Sequence, residues 1–181
     1  MKNKIPYMHC IQVDSFEEQI RIVQKMSMMQ RTHNKLAEDF EFLKIITKKA
    51  IDENEISQPL IRACIKEFFS LVEGDLFLIN QYLPYKEYSD KDNLINKFKK
   101  TFRHHSESFE KVKIKDSYQS KSYEKFYRLK LKRDQIVHPK SLQSIDVSIQ
   151  DFNDTSDVYS EYRNYILQLM TNIGFSSQIK L

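Results

Sequence analysis

Apolar positions recur along this chain at the three- and four-residue spacing of a helix face, and start and stop signals divide it into five helical segments. Ser15-Phe16-Glu17-Glu18 reads as a capping box, in which the Ser15 hydroxyl accepts from a backbone N–H and Glu18 reaches back. From there Phe16, Ile20, Val23, Met26, Met29, Leu36, Phe40, Leu43 and Ala50 carry a stripe that predicts a first helix over about 15–52, bent or broken at the polar residues 30–35. Met26, Met28 and Met29 read as adaptable core filling.

Ser57 and Pro59 give a second start, since proline is tolerated in the first turn. The helix they open, about 57–83, is apolar over a wide arc that includes Ile61, Ile65, Phe68, Phe69, Val72, Leu76 and Ile79, which predicts the central helix of a bundle, ended by Pro84. Ser89 and Asp92 open a third helix through Leu94, Ile95, Phe98 and Phe102, ending near 103–108. Residues 109–119, where Lys111, Lys113 and Lys115 alternate with Val112 and Ile114, read as a loop or short extended piece. A fourth helix over about 121–137 is stopped by Pro139, which disfavours helical geometry at His138. Ile145, Val147 and Ile149 alternate, suggesting at most a minor extended segment near 142–152. A fifth helix is expected from 155–157 through Val158, Tyr162, Ile166 and Leu169 to a stop at Gly174.

Composition agrees with this pattern. Two glycines and four prolines in 181 residues leave few turns, so the expectation is an all-α bundle of about five helices. It reads as one domain over 1–181, with a core at about 57–175 and a separate N-terminal helix. Cys10 and Cys64 form neither a disulfide framework nor a metal cluster, and His104 and His105 point about 100° apart on a helix with no third ligand at useful spacing. No metal or cofactor is therefore expected. With no apolar run approaching the ~18 residues of a membrane span, a cytoplasmic, reducing setting with no membrane partner is expected.

The net charge of +4 is unevenly spread. Residues 1–90 carry 12 basic and 14 acidic side chains, net −2; residues 91–140 carry 15 and 6, net +9; residues 141–181 carry 2 and 5, net −3. The excess lies in fifty residues ending at Arg133-Asp134-Gln135-Ile136-Val137-His138-Pro139, and a block of this kind suits a polyanion as well as a solvated face. On a helical wheel the apolar arc of the fourth helix is Tyr123, Phe126, Tyr127, Leu129, Leu131, Ile136 and Val137, with Arg133 inside it. A guanidinium there requires a partner: a carboxylate such as Glu73 or Asp75, a bound phosphate, or a second subunit.

The sequence from Arg133 to Pro139 resembles the motif of the HEPN superfamily (higher eukaryotes and prokaryotes nucleotide-binding), in which Arg is followed after four to six residues by His, with a polar residue such as Asp134 directly after the Arg. The resemblance covers the motif strictly and the helical layout of 57–175 loosely. It implies a HEPN-like bundle and a metal-independent endoribonuclease, of toxin–antitoxin or phage-defence type, acting as a homodimer whose motifs face each other across a composite site. The implied chemistry is attack of an RNA 2′-hydroxyl on the adjacent phosphate. His138 moves a proton, Arg133 stabilises charge on phosphorus, Asp134 orients one of them, and the products carry a 2′,3′-cyclic phosphate and a 5′-hydroxyl. Lys130, Lys132, Lys140 and Arg128 are the candidate RNA phosphate contacts, and Glu73 the candidate supporting acid. The resemblance also allows an antitoxin or nucleotidyltransferase partner, although Lys140 stands where one subgroup carries the tyrosine that such a transferase modifies. The alternatives are a non-catalytic module that binds nucleotide, RNA or a protein, and a helical interaction protein in which Arg133 is architectural.

Overall fold

The computed structural model describes residues 15–55, 57–82, 85–107 and 121–176, and the chain is all-helical across them. The helices are α1 (Phe16–Asp52), α2 (Gln58–Tyr82), α3 (Leu94–Glu107), α4 (Lys121–Val137) and α5 (Ile149–Ser176), with a short 3-10 turn at Gln143–Ile145. Residues 109–119 and Pro84 lie outside the described residues.

Local chemistry explains most of the boundaries. The Ser15 hydroxyl accepts from Glu18 N at 3.2 Å and starts α1. The helix ends in a Schellman arrangement: Asn54 takes a left-handed φ of 55°, Glu55 N reaches Ala50 O at 2.8 Å and Asn54 N reaches Ile51 O at 3.1 Å. Asparagine tolerates that conformation better than most residues, so the chain reverses tightly into α2. The cap of α3 is Asn93, whose side chain accepts from Asn96 N at 3.0 Å. Asp92 instead receives Lys100 Nζ at 2.6 Å.

Four expectations need correcting. Helix α1 runs unbroken through residues 30–35, because His33 faces inward with Met29, Ala37 and Phe40 and keeps the buried stripe continuous. No strand occurs among the described residues, and the segment near 142–152 is a 3-10 turn, three irregular residues and the first turn of α5. Helix α5 starts at Ile149, six residues before Thr155, because Ser148 and Asp151 form a reciprocal capping box: Ser148 N donates to Asp151 Oδ2 at 2.9 Å and Asp151 N to Ser148 Oγ at 3.3 Å. Gly174 does not close α5, which continues to Ser176 with no glycine at positive φ.

All five helices bring aromatic rings to one core. The Phe68 ring meets Phe126 edge-on at 6.1 Å, Tyr159 at 6.5 Å and Tyr162 at 6.0 Å, and Phe40 and Phe98 close the cluster from α1 and α3. Such pairs contribute about 0.5–1.5 kcal/mol each beyond area burial, and their geometry restricts how the helices can slide.

Within this apolar interior lies a polar knot joining three helices. Asp75 of α2 is fully buried; His33 Nδ1 of α1 sits 2.9 and 3.1 Å from its two oxygens, and the Tyr162 hydroxyl of α5 donates to Oδ2 at 2.8 Å. His33 and Tyr162 are also fully buried. A carboxyl group without solvent is tolerated only when hydrogen-bonded, so Asp75 requires both neighbours. One residue earlier, a Cβ on Gly74 would lie 2.9 Å from Leu36 Cδ1, the end of a flexible side chain that would have to shift to admit it. Replacing Asp75 by Ala removes the hydrogen-bond partner of buried His33 Nδ1 and of the Tyr162 hydroxyl. The expected loss is about 2–5 kcal/mol, with Tyr162→Phe costing about 1–2 kcal/mol. Urea unfolding followed by circular dichroism measures both, and equal midpoints for Asp75→Ala and the parent would refute the assignment.

Candidate active site at the end of the fourth helix

Helix α4 packs through one narrow side. Ser122, Phe126 and Leu129 are buried, and Arg133 and Ile136 continue that side at helical spacing, half-buried. The apolar arc is narrower than the wheel suggests: Tyr127, Leu131 and Val137 are exposed. Tyr123 is half-buried, with Lys99 Nζ 5.1 Å from its ring centroid.

Arg133 has the partner that its position demands. Its side chain keeps 23% exposure, and Nη2 donates to Glu73 Oε1 on α2 at 2.9 Å. Asp75 does not serve as its counter-charge, being committed to His33 and Tyr162. Residues 73 and 75 lie about 200° apart on α2, which sends Glu73 toward α4 and Asp75 inward. Asp134 touches Arg133 Nη1 at 3.4 Å, but its other oxygen is held by Lys130 Nζ. Two of the five guanidinium N–H donors are engaged, which leaves capacity for an oxyanion.

His138 is exposed, one residue beyond the helix end, and its imidazole has no partner among the described residues. Pro139 does not swing it round. His138 N still donates to Asp134 O at 2.9 Å, so His138 keeps helical register and projects roughly 140° away from Arg133. It shares its side of α4 with Tyr127, Leu131 and Asp134 instead. Within one chain the structure therefore does not bring Arg133 and His138 onto one face.

The candidate phosphate contacts are mostly spoken for. Lys130 binds Asp134, Lys132 Nζ donates to Asp146 O at 2.9 Å, and Arg128 bridges Asp151 Oδ1 at 2.6 Å and Asp154. Lys140 alone of the four keeps an ammonium without a partner among the described residues. Arg128 is thus a brace between α4 and α5, alongside Lys125, which reaches Asp157 at 2.8 Å and Asp154 at 3.1 Å. The acidic first turns of α5 were the missed part of the site's surroundings. The signal was available, because Asp151, Asp154 and Asp157 recur at three-residue spacing.

These pairs set an acid dependence. Burial pushes the Asp151 carboxyl up, but hydrogen bonds from Arg128 and Ser148 outweigh it and hold the group below its usual range. At Asp154 burial is likewise overcome, by Lys125, Gln150 and Arg128. Both groups bind protons less readily folded than unfolded, so their contribution is complete above about pH 4 and is lost as pH falls through the lowered folded values. Arg128→Gln is expected to cost about 1–2 kcal/mol at pH 7, at the low end because the guanidinium is 47% exposed. Its acid unfolding midpoint should also rise, and a pH titration of ellipticity superimposable on the parent would sink this account.

No protein-family model, no curated protein and no solved structure matches this chain, so the functional reading of the site rests on its own residues.

Proposed function

We propose that the protein is a metal-independent endoribonuclease of the HEPN type, with Arg133 and His138 as its reacting pair. The observation that carries this reading is the contrast between the two groups. Arg133 is anchored by Glu73 yet keeps free N–H donors, and His138 stands unpartnered in solvent five residues later. An anchored guanidinium is oriented for phosphate oxygens, and an accessible imidazole suits proton transfer near neutral pH. Their divergence on one helix favours a composite site, in which His138 of one copy serves the phosphate held by Arg133 of another. Tyr127 and Leu131, exposed on the His138 side of α4, supply apolar surface for that meeting.

In this mechanism the RNA 2′-hydroxyl loses its proton to one His138 imidazole as it attacks phosphorus. The 5′-oxygen leaves with a proton from a second acid, and Arg133 offsets the charge that builds on the phosphoryl oxygens. Lys140, exposed and without a partner among the described residues, is the candidate to meet the RNA backbone; Lys130, Lys132 and Asp134 would have to exchange their present partners to take part.

The second reading is a non-catalytic module that binds nucleotide, RNA or a protein, and an Arg133 engaged by Glu73 between α2 and α4 is compatible with it. Cleavage of a labelled RNA pool in EDTA separates the two. On the nuclease reading His138→Ala lowers the rate at least 100-fold with an unchanged melting temperature, and Arg133→Ala lowers it similarly. RNA binding without cleavage by the parent, unaltered by His138→Ala, selects the module.

A further inference from the structure

Helix α2 shows solvent a single stripe. From Ile61 to Tyr82 its exposed residues are Lys66, Ser70, Glu73, Phe77 and Gln81, which recur every three or four positions and lie within about 80° of one another around the helix. Four of them are polar. Phe77 is 56% exposed, and its ring meets no aromatic or cationic group among the described residues.

That ring stands beside the site at the end of α4. Phe69 meets Phe126 at 5.2 Å between ring centroids and Glu73 meets Arg133 at 2.9 Å, so α2 and α4 run in the same direction past each other. One turn beyond this ion pair come Phe77 on α2 and Val137 on α4, each about 40° further round toward solvent than the residue before it, and each exposed. The groove between the two helices thus passes from a guanidinium with unengaged N–H donors to an uncovered aromatic ring, over about 6 Å along α2. A guanidinium takes phosphate oxygens, and an exposed ring takes the face of a base that has left its own stack.

We propose that Phe77 is the base-stacking residue of a nucleotide subsite, holding an unpaired base next to the phosphate that lies on Arg133. The inference rests on the reading of Arg133 as a phosphate group's partner and adds the substrate class: RNA that is single-stranded at this step, since a base inside a duplex has no free face to offer. Glu73 stays on Nη2 and orients the guanidinium, while the phosphate takes the remaining donors. The occupant is a base because the ring lies one turn from the guanidinium, and because from Ile61 onward α2 offers a protein partner no second exposed apolar side chain.

The chain contains no tryptophan, so Phe77→Trp in the full chain places its one indole at the subsite. His138→Ala is combined with it to keep RNA intact during titration. A single-stranded RNA is expected to quench the indole emission, and the same sequence annealed into a duplex is not. Phe77→Leu, which keeps the apolar character and loses the ring, should weaken single-strand binding at least 5-fold and raise KM by a similar factor with an unchanged melting temperature, while Phe77→Trp binds like the parent. Single-strand affinity untouched by Phe77→Leu overturns the subsite, as does equal quenching by the duplex; cleavage by the parent that needs His138 would then leave the nuclease reading standing alone. Binding that depends on Phe77 without any cleavage by the parent keeps the subsite and removes only the catalysis. A lower mass in light scattering for Phe77→Leu, with RNA affinity unchanged, would make Phe77 a subunit contact and also overturn the proposal.

Discussion

The buried carboxyl of Asp75 constrains this fold more than any other group. It sits where apolar packing alone would leave α1, α2 and α5 free to shift by a fraction of a turn, and it removes that freedom by needing His33 and Tyr162 at hydrogen-bond distance. Leucine at the same place would contribute burial in many arrangements; a carboxyl is satisfied in few. His33 Nε2 is buried without a partner among the described residues, so the knot contributes specificity of arrangement at some cost in stability.

That arrangement sets the candidate site. Glu73 and Asp75 lie two residues apart, so the rotation of α2 that turns Asp75 inward also turns Glu73 toward α4. Arg133 therefore meets its carboxylate through a geometry fixed on the far side of α2. The aromatic cluster around Phe68 holds the same helices from below, which makes the position of the guanidinium a property of the core and not of surface side chains.

Fold class and the existence of the helices were legible from apolar periodicity, with the start of α1 at Ser15 read correctly and the cap of α3 one residue beyond Asp92, at Asn93. The start of α5 was not, since Ile145, Val147 and Ile149 alternate like a strand, and only the reciprocal bonds between Ser148 and Asp151 decide for helix. At the site, the need of Arg133 for a partner was legible from its place among apolar residues, and so was Glu73 as a candidate. The roles of Asp75 and His33 were not: each sits on an apolar stripe, but which of two nearby carboxylates faces which cation depends on the rotation of α2, a tertiary quantity with no local signal.

Charge gives the opposite lesson. The net +9 of residues 91–140 suggests a polyanion footprint, yet in the fold much of it answers carboxylates elsewhere in the chain: Arg103 meets Glu87, Lys125 and Arg128 meet the acidic start of α5, and Arg133 meets Glu73. The −3 of residues 141–181 is in part the complement of α4, brought alongside it by the final connection. A basic block read along a sequence measures available charge only where the fold leaves it unanswered. Of the described basic residues from Lys125 to Lys140, Lys125, Arg128, Lys130 and Arg133 meet carboxylates and Lys132 a backbone carbonyl, so a polyanion at this face would find Lys140, His138 and the remaining donors of Arg133 free or only partly committed.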